Sequence, residues 1–286
     1  LRILAISFAV VFSLNLAGAR PQKFRVSDPA AAAELKAQGA RLLADYGSFQ
    51  LFETDAAPAP APLRRARIES AAESDFIELN TGALDTRAPE VMALRKQALP
   101  FAGKQLRLVQ FVGPIKPEWR VALEQTGVSV VHYVPQNTYL VRGDNAALTK
   151  LQAWAATAEF VQWEGDYAND YKIHPRARPG SQKGAAVAAT PEWYAIQLVD
   201  DPEANGATLA LLDQLKLEPI RQQYRSLNYL NVIVRLPAGK IAELATQPEV
   251  VSIRPYVAPQ RRDERQGQIM AGNLTGNVPS GPGYLA

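Results

Sequence analysis

The residues that could carry chemistry are few, and the first to consider are the two histidines. Hydrolysis by a serine nucleophile needs a histidine base that an acidic side chain orients. His132 lies in a predicted strand and His174 directly precedes Pro175, and neither stands in a His-Gly-Thr or His-Gly-Ser sequence. A Gly-x-Ser-x-Gly nucleophile motif is also absent. We therefore predict no catalytic residue in this chain and interpret both histidines as structural.

Carboxylate clusters are the remaining candidates for metal ions, because the sequence contains no cysteine. Glu164 and Asp166, with Asp170 nearby, are too sparse for a calcium loop of EF-hand spacing. A comparable cluster is formed by Asp200, Asp201 and Glu203. Such clusters are usually solvated turns, and the glycine patterns that bind phosphates or dinucleotides are missing. We predict neither a metal nor a cofactor.

The segment from Pro255 to Arg265 is a sharper candidate, for recognition rather than catalysis. Pro255 and Pro259 disfavour a helix, and an extended backbone can add to the edge strand of a partner. Arg261 and Arg262 would be an accessible cleavage point; the alternative is a flexible basic linker without a recognition role. The residues predicted to bind in a cleft are Tyr256, Val257, Ala258, Pro259, Gln260, Arg261 and Arg262.

The first residues are typical of an export signal. An apolar run from Leu1 to Leu16 with one basic residue precedes Ala17-Gly18-Ala19, a pattern that suits signal-peptidase cleavage between Ala19 and Arg20. The run is shorter than a membrane-spanning helix, although a buried helix or a retained anchor is the alternative. We expect a secreted or periplasmic protein that contacts the membrane only through this signal during export.

The composition is that of a globular protein. Of 286 residues, 47% are hydrophobic and 21% are charged, and this length accommodates two or three domains. Without cysteine, each domain of an exported chain must be held by its own core. The net charge of +3 is too small to predict a nucleic-acid partner.

The region before residue 100 predicts a small α+β unit. A helix begins at Asp28-Pro29, with the Asp as N-cap, and continues to about Leu43. Ser48–Glu53 and Phe76–Leu79 read as strands that pair across an Ala-Pro linker, Asp55–Pro62. A short helix is expected over Pro89–Gln97.

Two later segments repeat one order of elements, β-α-β-β-α-β. The residues Val109-Gln110-Phe111 line up with Ile196-Gln197-Leu198, and Tyr139–Arg142 line up with Val232–Arg235. The predicted elements of the first segment are Leu106–Val112, Pro117–Gln125, Val128–Tyr133, Thr138–Arg142, a helix capped by Asp144 or Asn145 through Ala156, and Phe160–Trp163. Those of the second are Trp193–Val199, Ala207–Leu215, Leu217–Tyr224, Tyr229–Leu236, Pro237–Thr246 and Val250–Arg254. We expect Trp154, Trp163, Trp193 and Tyr194 to pack in cores or between the repeats.

This order predicts an α+β protein with two tandem ferredoxin-like plaits after a signal peptide and a small α+β unit. The predicted domains are a signal peptide at 1–19, an N-terminal region at 20–100, a first plait at 103–175, a linker at 176–190, a second plait at 191–258 and an extended tail at 259–286.

Two stretches resemble the pro-regions of bacterial subtilisin-like serine peptidases: Gly103–Ile115 with Pro117-Glu118-Trp119 and Thr126-Gly127-Val128, and then Tyr133–Val141. The tail, through Asp263–Ile269, Ala271–Leu274 and Pro282–Ala286, resembles the joint just before the catalytic domain of that family. In that family the plait is a folding assistant and a temporary inhibitor; its sheet face packs on the peptidase and its tail lies in the substrate cleft. This chain differs in having two plaits and an additional N-terminal unit.

The resemblance implies that this chain is the non-catalytic pro-region of a secreted subtilisin-like endopeptidase, with its own downstream peptidase domain as partner. The alternative is a secreted binding or assembly module that keeps its partner permanently. An RNA-binding role for the plaits is disfavoured because Tyr139–Gly143 lacks the exposed aromatic pattern of such sheets.

Overall fold

The computed structural model describes residues 20–55, 68–95, 101–178, 192–258 and 264–280. It is a mixed α+β protein built on small antiparallel sheets, which confirms the predicted class. The backbone contacts divide the chain into two compact units, of which the first ends at Ala168 and the second begins at Asn169. The predicted signal segment 1–19, most of the Ala-Pro run and residues 179–190 lie outside the described residues.

The first unit begins with a sheet of strand order β2-β3-β1-β4 and one helix that packs on it. Phe24, Leu35 and Phe52 are buried between the helix and the sheet. The elements are β1 (Gln22–Val26), α1 (Pro29–Ala37), β2 (Arg41–Asp45), β3 (Gln50–Thr54) and β4 (Ile68–Ser70).

Helix α1 starts as predicted but ends earlier. The Asp28 carboxylate accepts hydrogen bonds from the N–H groups of Ala30 and Ala31, at 2.8 and 3.1 Å. The prediction that the helix continues to Leu43 is wrong, because Gly39 adopts a left-handed backbone with φ +87°. Glycine at this position ends helices at no steric cost, so the following residues enter β2.

The predicted pairing across the Ala-Pro linker is also wrong. β5 (Phe76–Leu79) pairs with β6 (Gly82–Asp85), whereas β3 pairs with β1 and β2. The turn at residues 80–81 places β6 directly beside β5. β5 therefore pairs with this neighbour in sequence and not with the distant strand at Ser48–Glu53. A short helix α2 (Pro89–Met92) follows.

The central sheet of the first unit has the order β10-β7-β9-β8. Two helices cover one face, with Val109, Phe111 and Leu148 in the shared core. Gln136 and Asn137 both have positive φ, which suits a tight hairpin between the strands Ser129–Val134 and Thr138–Asp144 at one edge of the sheet. The elements are β7 (Lys104–Phe111), α3 (Pro117–Glu124), β8 (Ser129–Val134), β9 (Thr138–Asp144), α4 (Asn145–Thr157) and β10 (Val161–Asp166).

The second unit contains a sheet with the corresponding order, β12-β13-β11-β14. Helices bury one face, where Ile196, Leu212 and Leu244 meet. The predicted strand at Leu217 starts only at Gln222. The elements are α5 (Asn169–Lys172), β11 (Glu192–Val199), α6 (Asn205–Leu215), β12 (Gln222–Ser226), β13 (Tyr229–Leu236), α7 (Ile241–Ala245) and β14 (Val250–Pro255).

Residues 169–178, predicted to end the first plait and begin a linker, pack against the second core. Ile173 and Ala177 are buried in it. The Lys172 ammonium donates to the carbonyls of Ala245 and Gln247, at 2.8 and 2.9 Å, and so satisfies the end of α7. Burial lowers the pKa of Lys172 to about 8.

The tail is more regular than predicted. The sequence predicts an extended tail from Pro259 onward, yet α8 (Glu264–Met270) forms there, followed by the short strands β15 (Leu274–Thr275) and β16 (Val278–Pro279). Gly272 and Gly276 have positive φ; they end the helix and turn the hairpin rather than prevent structure.

We predict that Gly165→Ala destabilises the first unit by roughly 1–3 kcal/mol. A Cβ at residue 165 would lie 2.5 Å from two ring atoms of Trp163. That ring is fully buried, and its Nε1–H donates to the Val91 carbonyl at 3.1 Å, so it cannot move without losing a bond. Urea unfolding followed by circular dichroism measures the change.

The matched control is Gly206→Ala in α6, where a Cβ would meet no atom within 4 Å. Because alanine favours helix more than glycine does, this variant should be as stable as the parent chain or more stable. Equal stability of the Gly165→Ala variant and the parent chain would contradict the packing described here.

Candidate functional site

The two central sheets can be compared residue by residue. Val109 pairs with Tyr139 in the first sheet, and Ile196 pairs with Val232 in the second. These are the residues that the sequence repeat lines up. Gln110 and Gln197 therefore occupy corresponding positions, each on the sheet face opposite the helices.

In the first unit this face is closed. All six residues of β7 from Leu106 to Phe111 are buried, on both faces of the strand. Ile77 of β5 and Val91 of α2 are buried over the face that the helices leave uncovered. We call the covering segment, residues 72–92, the cover. The Glu78 N–H also reaches the carbonyl of Pro135, at 3.5 Å.

The cover supplies hydrogen bonds to the polar group at the centre of that face. The Gln110 amide nitrogen donates to the Phe76 carbonyl at 2.7 Å, and its oxygen accepts from the Thr86 hydroxyl at 2.6 Å. Gln162 of β10 donates to the same oxygen at 2.9 Å and to the Ser74 carbonyl at 3.0 Å. Gln110 is thus fully buried with its amide satisfied.

A buried ion pair connects β1 to the cover. The Lys23 ammonium lies 3.1 Å from the Asp75 carboxylate and donates to the Val112 carbonyl at 3.0 Å and to Gln162. Burial lowers the pKa of Lys23 to about 8, although the Asp75 charge opposes that shift. The first unit is therefore held by polar contacts among its N-terminal sheet, the cover and the central sheet.

In the second unit the corresponding face is partly exposed. From Trp193 to Val199, buried residues alternate with half-buried ones, as in a sheet with one face solvated. The Gln197 amide donates to Asn231 at 3.2 Å, and the same row across the sheet continues to Ser252 and to the exposed ring of Tyr224. The face therefore carries polar and aromatic groups that are partly accessible to solvent.

The predicted cleft-binding tail leaves from one end of this face. The Tyr256 N–H donates to the Trp193 carbonyl at 2.7 Å, and the Arg221 guanidinium lies over both rings, 5.5 Å from that of Trp193 and 5.4 Å from that of Tyr256. Val257 is 79% exposed. Of the predicted residues, Tyr256, Val257 and Ala258 are described; Pro259, Gln260, Arg261 and Arg262 lie outside the described residues.

One histidine lies in a strand and the other at the start of a 3₁₀ turn. His132 lies in β8, and burial lowers its pKa. The His174 Nδ1 accepts from the Arg176 N–H at 3.1 Å, which caps a 3₁₀ turn. Trp163 and Tyr194 are fully buried, whereas Trp193 is half-buried.

The carboxylate clusters also have protein partners. Glu164 lies 3.1 Å from the buried Arg107 guanidinium, and desolvation raises its pKa. Asp200 pairs with Arg225 at 3.0 Å, while Asp201 accepts from the Glu203 N–H at 3.2 Å. Among the residues that the structure describes, no three His, Asp or Glu side chains are grouped so as to hold a metal ion.

Of the residues at the predicted signal cleavage, Ala19 lies outside the described residues, and Arg20 pairs with Asp85 at 2.7 Å. Within the described ranges, no helix has the length and apolar character needed to cross a membrane.

The closed face of the first sheet is the feature that sequence reasoning missed. Part of its signal was available: five of the seven residues from 106 to 112 are apolar and do not alternate strictly with polar ones, which is typical of a strand buried on both faces. The two polar residues of the run, Arg107 and Gln110, mark the groups that need buried partners.

Residues 78–168 match the model of a domain family described as a domain of unknown function, DUF8729. No curated protein matches the chain. The matched range includes β6 and α2 together with the whole central sheet of the first unit, so most of the cover falls within the same recognised domain as the sheet it closes.

We predict that the corresponding substitutions Gln110→Ala and Gln197→Ala have very different effects on the free energy of unfolding. The first removes the hydrogen bonds that Thr86, Gln162 and Phe76 make to the buried amide and leaves a cavity in its place, and should cost about 2–4 kcal/mol of unfolding free energy. The second removes a half-exposed group and should change stability by less than about 0.5 kcal/mol. Urea unfolding of both variants compares them, and similar losses would contradict the assignment of one closed and one exposed face.

Proposed function

We propose that this chain is the pro-region of a secreted subtilisin-like serine endopeptidase, where it assists folding and temporarily inhibits a peptidase domain further along the chain. In this proposal the two central sheets with their helices are ferredoxin-like plaits. The element order β-α-β-β-α-β in each, and the placement of the first strand between the third and the fourth, support this interpretation.

The observation that carries the proposal is the combination of a partly exposed sheet face and an exposed exit of the chain in the second unit. The half-buried row around Gln197 offers a docking surface, and the chain continues beyond the end of β14 at Pro255 to the exposed Val257. The corresponding face of the first plait is occupied by the cover, so the second plait is the one we assign to the peptidase.

In this proposal the segment Tyr256–Arg262 makes the inhibitory contact, by binding in the substrate cleft in extended form as a peptide substrate does. Extended backbone can supply hydrogen bonds to an edge strand of the enzyme. Docking of the plait raises the effective concentration of the tail, so a weak tail contact still inhibits. Cleavage at or near Arg261-Arg262 then converts a tethered inhibitor into one that dilutes away.

The chemistry in this proposal belongs entirely to the peptidase domain. The sequence has neither a His-Gly-Thr or His-Gly-Ser motif nor a Gly-x-Ser-x-Gly motif, and a serine is a weak nucleophile without an adjacent base. The role of the chain is therefore to dock, to occupy the cleft and to be removed.

The test is inhibition of the separately produced peptidase domain by residues 20–286 and by the same chain truncated after Pro255. We expect both to inhibit hydrolysis of a peptide substrate, with the truncated chain at least about tenfold weaker because it lacks the tethered contact. Equal inhibition would remove the tail from the mechanism. Absence of inhibition by either would contradict the proposal and favour a permanent binding or assembly module.

A further inference from the structure

The point where the chain leaves the second sheet is more constrained than an extended segment requires. Tyr256 is the first residue beyond β14, and its N–H still donates a hydrogen bond to the Trp193 carbonyl of the neighbouring strand β11. One residue later the chain is exposed. The structure thus changes from fixed to exposed within a single peptide unit.

Arg221 is the side chain that marks this change. It directly precedes β12, where its N–H bonds to the Ile233 carbonyl at 3.0 Å. Because the strand order is β12-β13-β11-β14, its guanidinium must extend across the sheet to reach Trp193 and Tyr256. The Arg221 side chain thereby connects the start of β12 to Tyr256, the first residue of the tail.

We propose that Arg221 is a positioning residue for the tail: its guanidinium, held over both Trp193 and Tyr256, fixes the place and direction in which Val257 and Ala258 leave the sheet. The fixed exit is a property of this chain alone. Its consequence for inhibition rests on the proposed function, because only a partner that accepts the tail would sense its direction.

The chemistry of the contact favours arginine specifically. A guanidinium is planar and weakly hydrated, so it stacks on aromatic faces in a way that a compact ammonium does not. Holding the first tail residue in place before binding lowers the ordering cost that a partner would otherwise meet. Replacement by lysine should therefore lose much of the effect, although the charge is kept.

The first experiment needs no partner. Amide hydrogen exchange of residues 254–258, measured by mass spectrometry on residues 20–286, should be at least about fivefold faster in the Arg221→Ala and Tyr256→Ala variants, and intermediate in Arg221→Lys. Exchange in the core strand β13 should stay unchanged. The matched control is Arg225→Ala, because Arg225 is also exposed and pairs with Asp200 instead. Unchanged exchange at residues 254–258 in Arg221→Ala would overturn the inference.

The second experiment separates this inference from the proposed function. If the chain inhibits the peptidase domain, Arg221→Ala should weaken that inhibition by about three- to tenfold, and should have no effect in the chain truncated after Pro255. An effect that persists in the truncated chain would overturn the positioning role. Faster exchange in Arg221→Ala together with absence of inhibition by the parent chain would support the fixed exit and contradict the proposed function.

Discussion

The first unit depends on the hydrogen bonds that the buried Gln110 amide donates and accepts. A polar side chain can be buried in a sheet only when its donors and acceptors find partners, because an unpaired amide costs several kcal/mol. Phe76, Thr86 and Gln162 supply those partners from the cover and from β10. The cover is therefore required by the sheet, and Lys23 links the N-terminal sheet to the same network.

The second unit places the same residue type under the opposite condition. Gln197 lies at the corresponding position, but its face stays partly exposed, with one side-chain partner, Asn231, at 3.2 Å. The same sheet architecture thus occurs twice, with one face closed in the first unit and the corresponding face partly exposed in the second. The difference follows from what packs on each sheet rather than from the sheets themselves, whose strand orders and registers correspond.

Most of the individual elements could be predicted from local signals. Pro117 at the start of a helix, Asp144 as an N-cap and the turn at Gln136-Asn137 act within a few residues, and the structure has α3, α4 and the β8–β9 hairpin at those places. What depends on distant packing was missed: the cover over the first sheet and the pairing of β5. Gly39 shows a local limit as well, because one left-handed residue ended a helix whose apolar pattern continued.

One tryptophan lies on the closed face of the first central sheet and another on the partly exposed face of the second, so their solvent access reports directly on the difference between the two faces. Trp163 is fully buried beneath the cover, and Trp193 is half-buried on the exposed face. Hydroxyl-radical footprinting of residues 20–286, quantified by mass spectrometry, compares both rings in one sample. We expect oxidation of Trp193 at a rate at least about tenfold that of Trp163, because only the Trp193 ring is accessible to solvent. Equal protection of the two rings would contradict it.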